Sequence, residues 1–225
     1  VKLLILPRAW VSTLFPVFSA HYGNQPGQTE ALFIRGVKYL MMLMFPVVLP
    51  IIAFAPDGLR LWLNPEYALH SAPVMKLLTA AMFVASLAYI PYSFLQGIGK
   101  PRLAAIAHLI EFPFFLASAW FLTGRWGIRG MAFACFLRAC LDLLLMFGFA
   151  LRFLPAARAA VRRIAWAGTL ALVAAGLAQW PEGMGQRALL CGMVLVAWLA
   201  TCWTVLLNAG ERASLLARRH RRPSA

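Results

Sequence analysis

The chain has 225 residues, of which 62% are hydrophobic and only 12% are charged. This composition excludes a water-soluble globular protein, and the length leaves no room for a sizeable soluble domain beside the apolar segments. The formal net charge of +14 would suit nucleic-acid binding if the cations formed one patch, but they are divided among the connectors between apolar segments. We therefore expect an integral membrane protein with no nucleic-acid partner.

Seven mostly apolar segments follow one another along the chain, each close to the roughly 20 residues that a helix needs to cross a bilayer core of about 30 Å. They predict spanning helices over residues 3–20, 37–56, 73–97, 103–123, 131–151, 164–180 and 188–207. The predicted fold is an all-α polytopic membrane protein with five helices in residues 1–151, two additional helices in 152–207 and a basic tail in 208–225. The first segment opens at Val1 and the count is odd, so the architecture looks cut into rather than begun.

The lysines and arginines of the connectors sort by side of the membrane. One set of connectors holds thirteen basic and two acidic residues, whereas the other holds six basic and three acidic residues. The positive-inside rule places the richer set in the cytoplasm, together with the C-terminal tail RASLLARRHRRPSA. The tail could also hold anionic lipid headgroups, although a solvated stop signal is the plainer interpretation.

Motifs for soluble-type chemistry are absent from the sequence. The four cysteines, Cys135, Cys140, Cys191 and Cys202, all lie within predicted spans and show no CxxC or Cys/His spacing for zinc. The sequence also lacks a Gly-rich phosphate loop and a Gly-x-Ser-x-Gly elbow. We expect the cysteines to be packing residues, and we predict no metal, no cofactor and no catalytic residue.

Prolines lie inside four successive predicted spans. Helix breaks in lipid are tolerated only where neighbouring helices or a water-filled cavity satisfy the freed backbone groups. Interrupted helices are typical of transporters that rock one bundle against another, although proline is also common in ordinary membrane helices. The positions are Pro7, Pro16, Pro46, Pro50, Pro91 and Pro113. They favour a moving bundle that lines a cavity, whereas the last two spans, without interior proline, look like additions to it.

Ionisable residues at membrane depth are the sharpest indication of a site, because burying each one costs about 2.5 to 3.5 kcal/mol on insertion scales. His108 and Glu111 are three residues apart, and Arg138 and Asp142 are four apart, so each pair shares a helix face. One interpretation is structural: with Arg8, the four residues form a neutral network that fixes helix packing. The other is functional: Arg138 meets an anionic group and a carboxylate takes up protons. The sequence leaves both open.

Several stretches resemble a known family in their order and spacing. They are LILPRAWVSTLFPVFSAHYG, LFIRGVKYLMMLMFPVVLPIIAFAPDGLRLWLNPEYALHSAPVMKLL, SLAYIPYSFLQGIGKPRLAAIAHLIEFPFFLASAWFLT, the short turn WGIRGMAFA, and FLRACLDLLLMF. Together they resemble the second half of bacterial polysaccharide flippases of the multidrug/oligosaccharidyl-lipid/polysaccharide exporter superfamily. The resemblance covers residues 2–150.

The resemblance implies a carrier that flips undecaprenyl-diphosphate-linked sugar units, such as O-antigen or exopolysaccharide repeats, by alternating access in the inner membrane. Family members have two six-helix lobes around a central cavity, often followed by two extra helices. On that pattern the first span corresponds to the eighth helix and the C-terminus is cytoplasmic. The implied partners are the lipid-linked oligosaccharide, membrane lipids, and a missing N-terminal half or other polysaccharide-assembly proteins. Candidate pathway residues are Arg138 for anion contact, Asp142 for orienting it or carrying protons, and Glu111 and His108.

Two other functions stay open. A membrane-embedded polymerase or acyltransferase would use Glu111, His108 or Asp142, although the longest outer connector, DGLRLWLNPEYALHS, lacks an acid/base pair at suitable spacing. The chain could also be a non-transporting scaffold or a truncated remnant of a longer gene.

Overall fold

The computed structural model describes residues 5–22, 26–177 and 183–206, and every element of secondary structure among them is helical. The helices are α1 (Ile5–His21), α2 (Pro26–Ala53), α3 (Ala55–Trp62), α4 (Pro65–Gly97), α5 (Pro101–Phe153), α6 (Ala157–Leu177) and α7 (Met184–Thr201), followed by a short π-helix, Cys202–Leu206. The predicted all-α fold is confirmed. The predicted basic tail, 208–225, lies outside the described residues.

Five of these helical stretches are long and apolar enough to cross a membrane. They are Gly27–Ala53, Pro65–Gly97, Pro101–Phe153, Ala157–Leu177 and Met184–Thr204. The chain is therefore a multi-pass membrane protein. The predicted number of seven crossings stays a prediction, because α1 has only 17 residues and the 53 residues of α5 exceed a single crossing.

The long helix α5 folds back on itself at Gly127. This glycine has φ 56° and ψ −136°, a backbone conformation that side-chain-bearing residues rarely adopt. A Cβ placed on Gly130 would overlap the carbonyl oxygen of Leu122, whereas eight residues of continuous helix would separate the two residues by about 12 Å. Residues 101–126 and 128–153 therefore form two antiparallel helices, here called the α5 hairpin. They correspond to the spans predicted over 103–123 and 131–151.

Aromatic rings join α1, α2, α4 and the second half of the α5 hairpin in one core. Phe94 of α4 receives Phe18 of α1 and Phe33 of α2 edge-on, with centroids 5.5 Å away in both pairs. Phe33 in turn meets Phe147 of the hairpin at 5.9 Å. Edge-to-face contacts of this kind add about 0.5 to 1.5 kcal/mol to the burial of the rings. The core fixes the hairpin against the other helices.

The last two helices pack against α2 and share this core. Gly168 of α6 approaches Met41 so closely that a Cβ on the glycine would lie 3.2 Å from the Met41 sulfur. On α7, the Trp198 ring lies 4.5 Å from the Phe45 ring of α2, centroid to centroid. Small residues at a helix interface allow such close approach in membranes. The helices of residues 152–207 are thus attached through α2.

The prolines expected to interrupt the helices lie inside continuous ones. Pro46 and Pro50 lie within α2, Pro91 within α4 and Pro113 within α5. The helices are therefore not ended by these prolines, and a kink at each of them stays a prediction. The chain reverses at Gly127, which has a positive φ and lies between the spans predicted over 103–123 and 131–151.

Connectors predicted to share one side of the membrane contact each other. Asp57 of α3 forms an ion pair with Arg187 near the start of α7, although 130 residues separate them. Ile128, just beyond the hairpin turn, lines a pocket together with Tyr67 and His70 at the start of α4. The relative sides of these connectors agree with the sorting of charges, and the direction of the whole chain across the membrane stays a prediction.

Candidate functional site

The α5 hairpin brings all four predicted site residues into one cluster. Glu111 is at its centre: Oε1 lies 3.5 Å from Nδ1 of His108, and Oε2 lies 3.6 Å from a guanidinium nitrogen of Arg138. Ligand atoms of His108, Glu111 and Asp142 all lie within 4.8 Å of one another. Two helices that run in opposite directions therefore contribute two ionisable residues each.

The partner of Arg138 differs from the one that spacing along the helix suggests. The i, i+4 relation pairs Arg138 with Asp142, yet the ion pair that forms is with Glu111 on the other half of the hairpin. Helical spacing shows which residues share a face, and it cannot show what the opposite helix presents to that face. Spacing along the helix pairs Glu111 with His108 only, whereas in the structure Glu111 connects the two helices of the hairpin.

The cluster lies at membrane depth. At about 1.5 Å rise per residue, Glu111 and Arg138 are roughly 24 Å and 16 Å along their helices from the turn at Gly127. A hydrocarbon core is about 30 Å thick. A hairpin that crosses this core with its turn at one surface has Arg138 near the middle and Glu111 nearer the opposite surface, where buried charges need partners or a water-filled path.

One face of the cluster is open and the other is closed. The Glu111 side chain is only 2% exposed, whereas those of His108 and Arg138 are 52% and 51% exposed. The buried carboxylate is thus held behind two half-exposed cationic or polar groups. Such a face can be approached by a ligand or by another protein segment.

Two aromatic residues that the sequence did not point to border the open face. The Arg138 guanidinium carbon lies 5.6 Å from the centre of the Phe115 ring, a geometry in which a cation is attracted to the ring face. The Tyr92 ring of α4 lies 6.1 Å from the His108 ring. Phe115 lies four residues after Glu111 and could have been found from helical spacing, whereas Tyr92 comes from a different helix and carries no sequence signal.

Two buried oxygen atoms of the cluster lack hydrogen-bond partners within the described part of the chain: Oε1 of Glu111 and Oδ1 of Asp142. Buried acceptors without donors are rare and commonly mark a water, an ion or a functional group. Three oxygen or nitrogen ligands this close together could hold a cation, a possibility that a search for cysteine and histidine spacing does not reveal. The guanidinium of Arg138 beside the same carboxylate opposes a metal ion, and the absence of a metal stays a prediction.

The four cysteines are free thiols, and Cys191 and Cys202 are buried in the core. Neither belongs to the ionisable cluster, so the structure gives the cysteines no part in the candidate site.

The chain is similar in sequence to a protein of Shigella flexneri named "Putative O-antigen transporter". The two are 31% identical over 150 residues, which cover 65% of this chain and 34% of the relative. No protein-family model matches the chain, and no solved structure matches it. The chain spans about one third of the length of the Shigella flexneri relative. The similarity confirms the resemblance to polysaccharide transport proteins that the sequence predicted.

The arrangement can bind an anionic group. A half-exposed arginine offers a planar fork of donors to phosphate or carboxylate oxygens. The Glu111 carboxylate beside it holds the arginine in place.

Proposed function

We propose that the chain is part of a carrier that moves lipid-linked oligosaccharide, with a sugar unit on undecaprenyl diphosphate, across the bacterial inner membrane. The carrier supplies cell-surface polysaccharide biosynthesis and works by alternating access. The proposal includes an N-terminal half that completes the central cavity, a cytoplasmic C-terminus, and no catalytic step of its own.

The observation that carries the proposal is the ion pair between Arg138 and Glu111 on the open face of a membrane-embedded hairpin. A membrane helix pair that only needed to pack would avoid these charges, since each costs about 2.5 to 3.5 kcal/mol to insert. The similarity to a protein named "Putative O-antigen transporter" supports a polysaccharide-related substrate and favours a non-enzymatic role.

Arg138 is the proposed contact for the diphosphate. Its guanidinium is half-exposed and lies over Phe115, while its other side is held by Glu111. A diphosphate carries the acceptor oxygens that a bidentate guanidinium binds best. The lipid tail of such a substrate can stay in the bilayer while its polar head occupies the cavity.

Glu111 and Asp142 are the proposed proton carriers. Their carboxyl oxygens lie close together beside a single arginine, so a proton on one of them reduces the excess of negative charge. Binding of the anionic substrate to Arg138 would weaken the hold of that arginine on Glu111. Such an exchange couples substrate binding to protonation and allows the hairpin to face each side of the membrane in turn.

The test is export of surface polysaccharide by the complete carrier with this chain as its C-terminal part, in cells that lack their own transporter. We expect Arg138→Ala to abolish export and Arg138→Lys to restore it only partly, since lysine lacks the bidentate fork. The matched control is Arg125→Ala, because Arg125 is an exposed arginine of the same hairpin that contacts Phe121 rather than the cluster.

Membrane levels of each variant are measured by immunoblot in the same cells. Loss of export by Arg138→Ala at normal membrane level, with Arg125→Ala active, supports the proposal. Normal export by Arg138→Ala refutes a required role of the arginine. The cluster is then best explained as a structural network that fixes helix packing.

A further inference from the structure

A lipid-sized groove lies between the last two helices, far along the chain from the ionisable cluster. It has a volume of about 480 Å³, with α6 and α7 as walls and Phe45 of α2 among its lining residues. Leu170, Ala174, Val194 and Ala197 give it apolar sides. The groove opens on the surface of the protein that faces the membrane, because Leu170 and the neighbouring Trp166 are each 66% exposed.

One end of the groove is cationic. Arg163 lines it there and is exposed, and within the described residues no ion pair involves its guanidinium. Arg162, the adjacent residue, is also exposed but does not line the groove, and α6 contains no acidic residue. Trp166, one turn further along, is a residue type enriched at the membrane–water interface. The positive end of the groove therefore lies at the level of lipid headgroups.

A second donor near the same end has no acceptor. Trp198 lines the groove and is only 5% exposed, and its indole Nε1 is buried without a hydrogen-bond partner in the described part of the chain. Thr201, which also lines this end, donates its hydroxyl to the carbonyl of Ala197. An arginine and an indole N–H together favour a ligand whose headgroup is rich in acceptors and carries negative charge.

The length of the groove matches one leaflet. From Arg163 to Ala174, α6 rises about 16 Å at 1.5 Å per residue, which is about half of a 30 Å hydrocarbon core. A phospholipid acyl chain has that reach from its headgroup. A polyprenyl chain of many isoprene units is longer than the groove.

We propose that this groove binds one anionic phospholipid, with its phosphate at Arg163 and one acyl chain along Leu170 and Ala174 between α6 and α7. The lipid fills the gap that these helices leave above α2 and holds them together. The site is independent of the proposed transport function, since it shares no residue with the cluster at Glu111.

The test is native mass spectrometry of the purified full chain in detergent, titrated with dioleoyl phosphatidylglycerol and, separately, with dioleoyl phosphatidylcholine. We expect one tightly retained phosphatidylglycerol and weaker retention of phosphatidylcholine. Arg163→Ala should lower the affinity for phosphatidylglycerol by about five- to tenfold, the effect of one cation near a lipid phosphate. The matched control is Arg162→Ala, which removes the same charge from the adjacent residue outside the groove and should change the affinity less than twofold.

A second pair of variants tests the apolar part of the site. Ala197→Leu places a larger side chain in the groove and should reduce retention, whereas Ala200→Leu, on the same helix but lining a different surface pocket, should not. Both alanines are exposed, so neither change disturbs the core. Circular dichroism of each variant reports whether its helices are intact.

Equal losses of phosphatidylglycerol affinity in Arg162→Ala and Arg163→Ala would overturn the proposal. They would show that the lipid responds to the positive charge of this region rather than to a site at Arg163. Unchanged retention in Ala197→Leu would overturn it as well. Displacement of phosphatidylglycerol by undecaprenyl phosphate at lower concentration, lost in the same variants, would assign the groove to the polyprenyl carrier instead and would also overturn it.

Discussion

Replacing Gly130 by alanine tests the α5 hairpin, on which the candidate site depends. An added Cβ would overlap the carbonyl oxygen and carbon of Leu122 and would lie 3.0 Å from the amide nitrogen of Thr123. All three are backbone atoms that cannot rotate away, so the two helices of the hairpin must move apart. Overpacking of a close contact costs about 1 to 3 kcal/mol.

Thermal unfolding in detergent measures this cost, with a thiol-reactive fluorophore as the reporter. Cys191 and Cys202 are buried free thiols that react when the helices separate, and the partly buried thiols Cys135 and Cys140 are replaced by alanine in every variant compared. For a chain of this size about 1 kcal/mol shifts the midpoint by roughly 2 to 4 °C, so Gly130→Ala should melt about 2 to 12 °C lower. Gly124→Ala is the matched control, because its Cβ meets no atom within 4 Å and alanine favours the helix by up to about 1 kcal/mol.

Equal midpoints for Gly130→Ala and Gly124→Ala would refute the close hairpin. The contact between Glu111 and Arg138 would then lack its structural basis, since these residues meet only if the chain reverses between them. If both variants melt at a lower temperature by the same amount, any added methyl group near the turn destabilises the chain. That result would also contradict the role of the Gly130 contact.

Three further predictions follow from other contacts. Glu111→Gln keeps the shape of a buried side chain but removes the charge that holds the arginine of the cluster, so export by the complete carrier should fail at normal membrane level; full export would contradict that role. Asp57→Asn and Arg187→Gln should show a coupling of about 1 kcal/mol in a double-mutant cycle of melting midpoints, whereas additive effects would contradict the contact between α3 and α7. Gly97→Ala should lower the melting midpoint, because its added Cβ would lie 3.0 Å from the Cβ of Phe18 in α1. Gly148→Ala is the control, since a Cβ there meets no atom within 4 Å. Equal midpoints for the two variants would contradict the close contact between α1 and α4.

Hydropathy located the membrane helices but not their full length. The prediction for the second span began at residue 37, whereas α2 begins at Pro26, because the helix continues into a polar stretch that a hydropathy window ends before. In the same way α4 begins at Pro65 rather than residue 73, with Asn64 capping it by accepting from the Glu66 N–H at 2.8 Å. Apolar length marks what lies in the bilayer, whereas capping residues mark where the helix starts.

The short helix α3 was not predicted at all. Its eight residues make about two turns, too few for a periodic pattern to stand out. Its position is set by tertiary contact, since Asp57 pairs with a residue of α7. No local signal could show that pairing.

The sequence predicted which residues form the site, but not which of them contact each other. Cost of insertion singled out His108, Glu111, Arg138 and Asp142, because charges at membrane depth stand out in an apolar sequence. Which carboxylate meets Arg138 depends on how the two helices of the hairpin are aligned, and that alignment follows from Gly127. Burial of Glu111 behind two half-exposed partners likewise required the structure.

The most direct test of the proposed function is complementation in cells that lack their own polysaccharide transporter, with surface polysaccharide as the readout. The 225-residue chain is expressed alone, with the N-terminal half of a related transporter, and with that half but carrying Arg138→Ala. The proposal predicts export only for the chain together with the N-terminal half, and its loss in the Arg138→Ala chain. Export that persists without Arg138, or that fails to appear with the N-terminal half while both pieces reach the membrane, would contradict it.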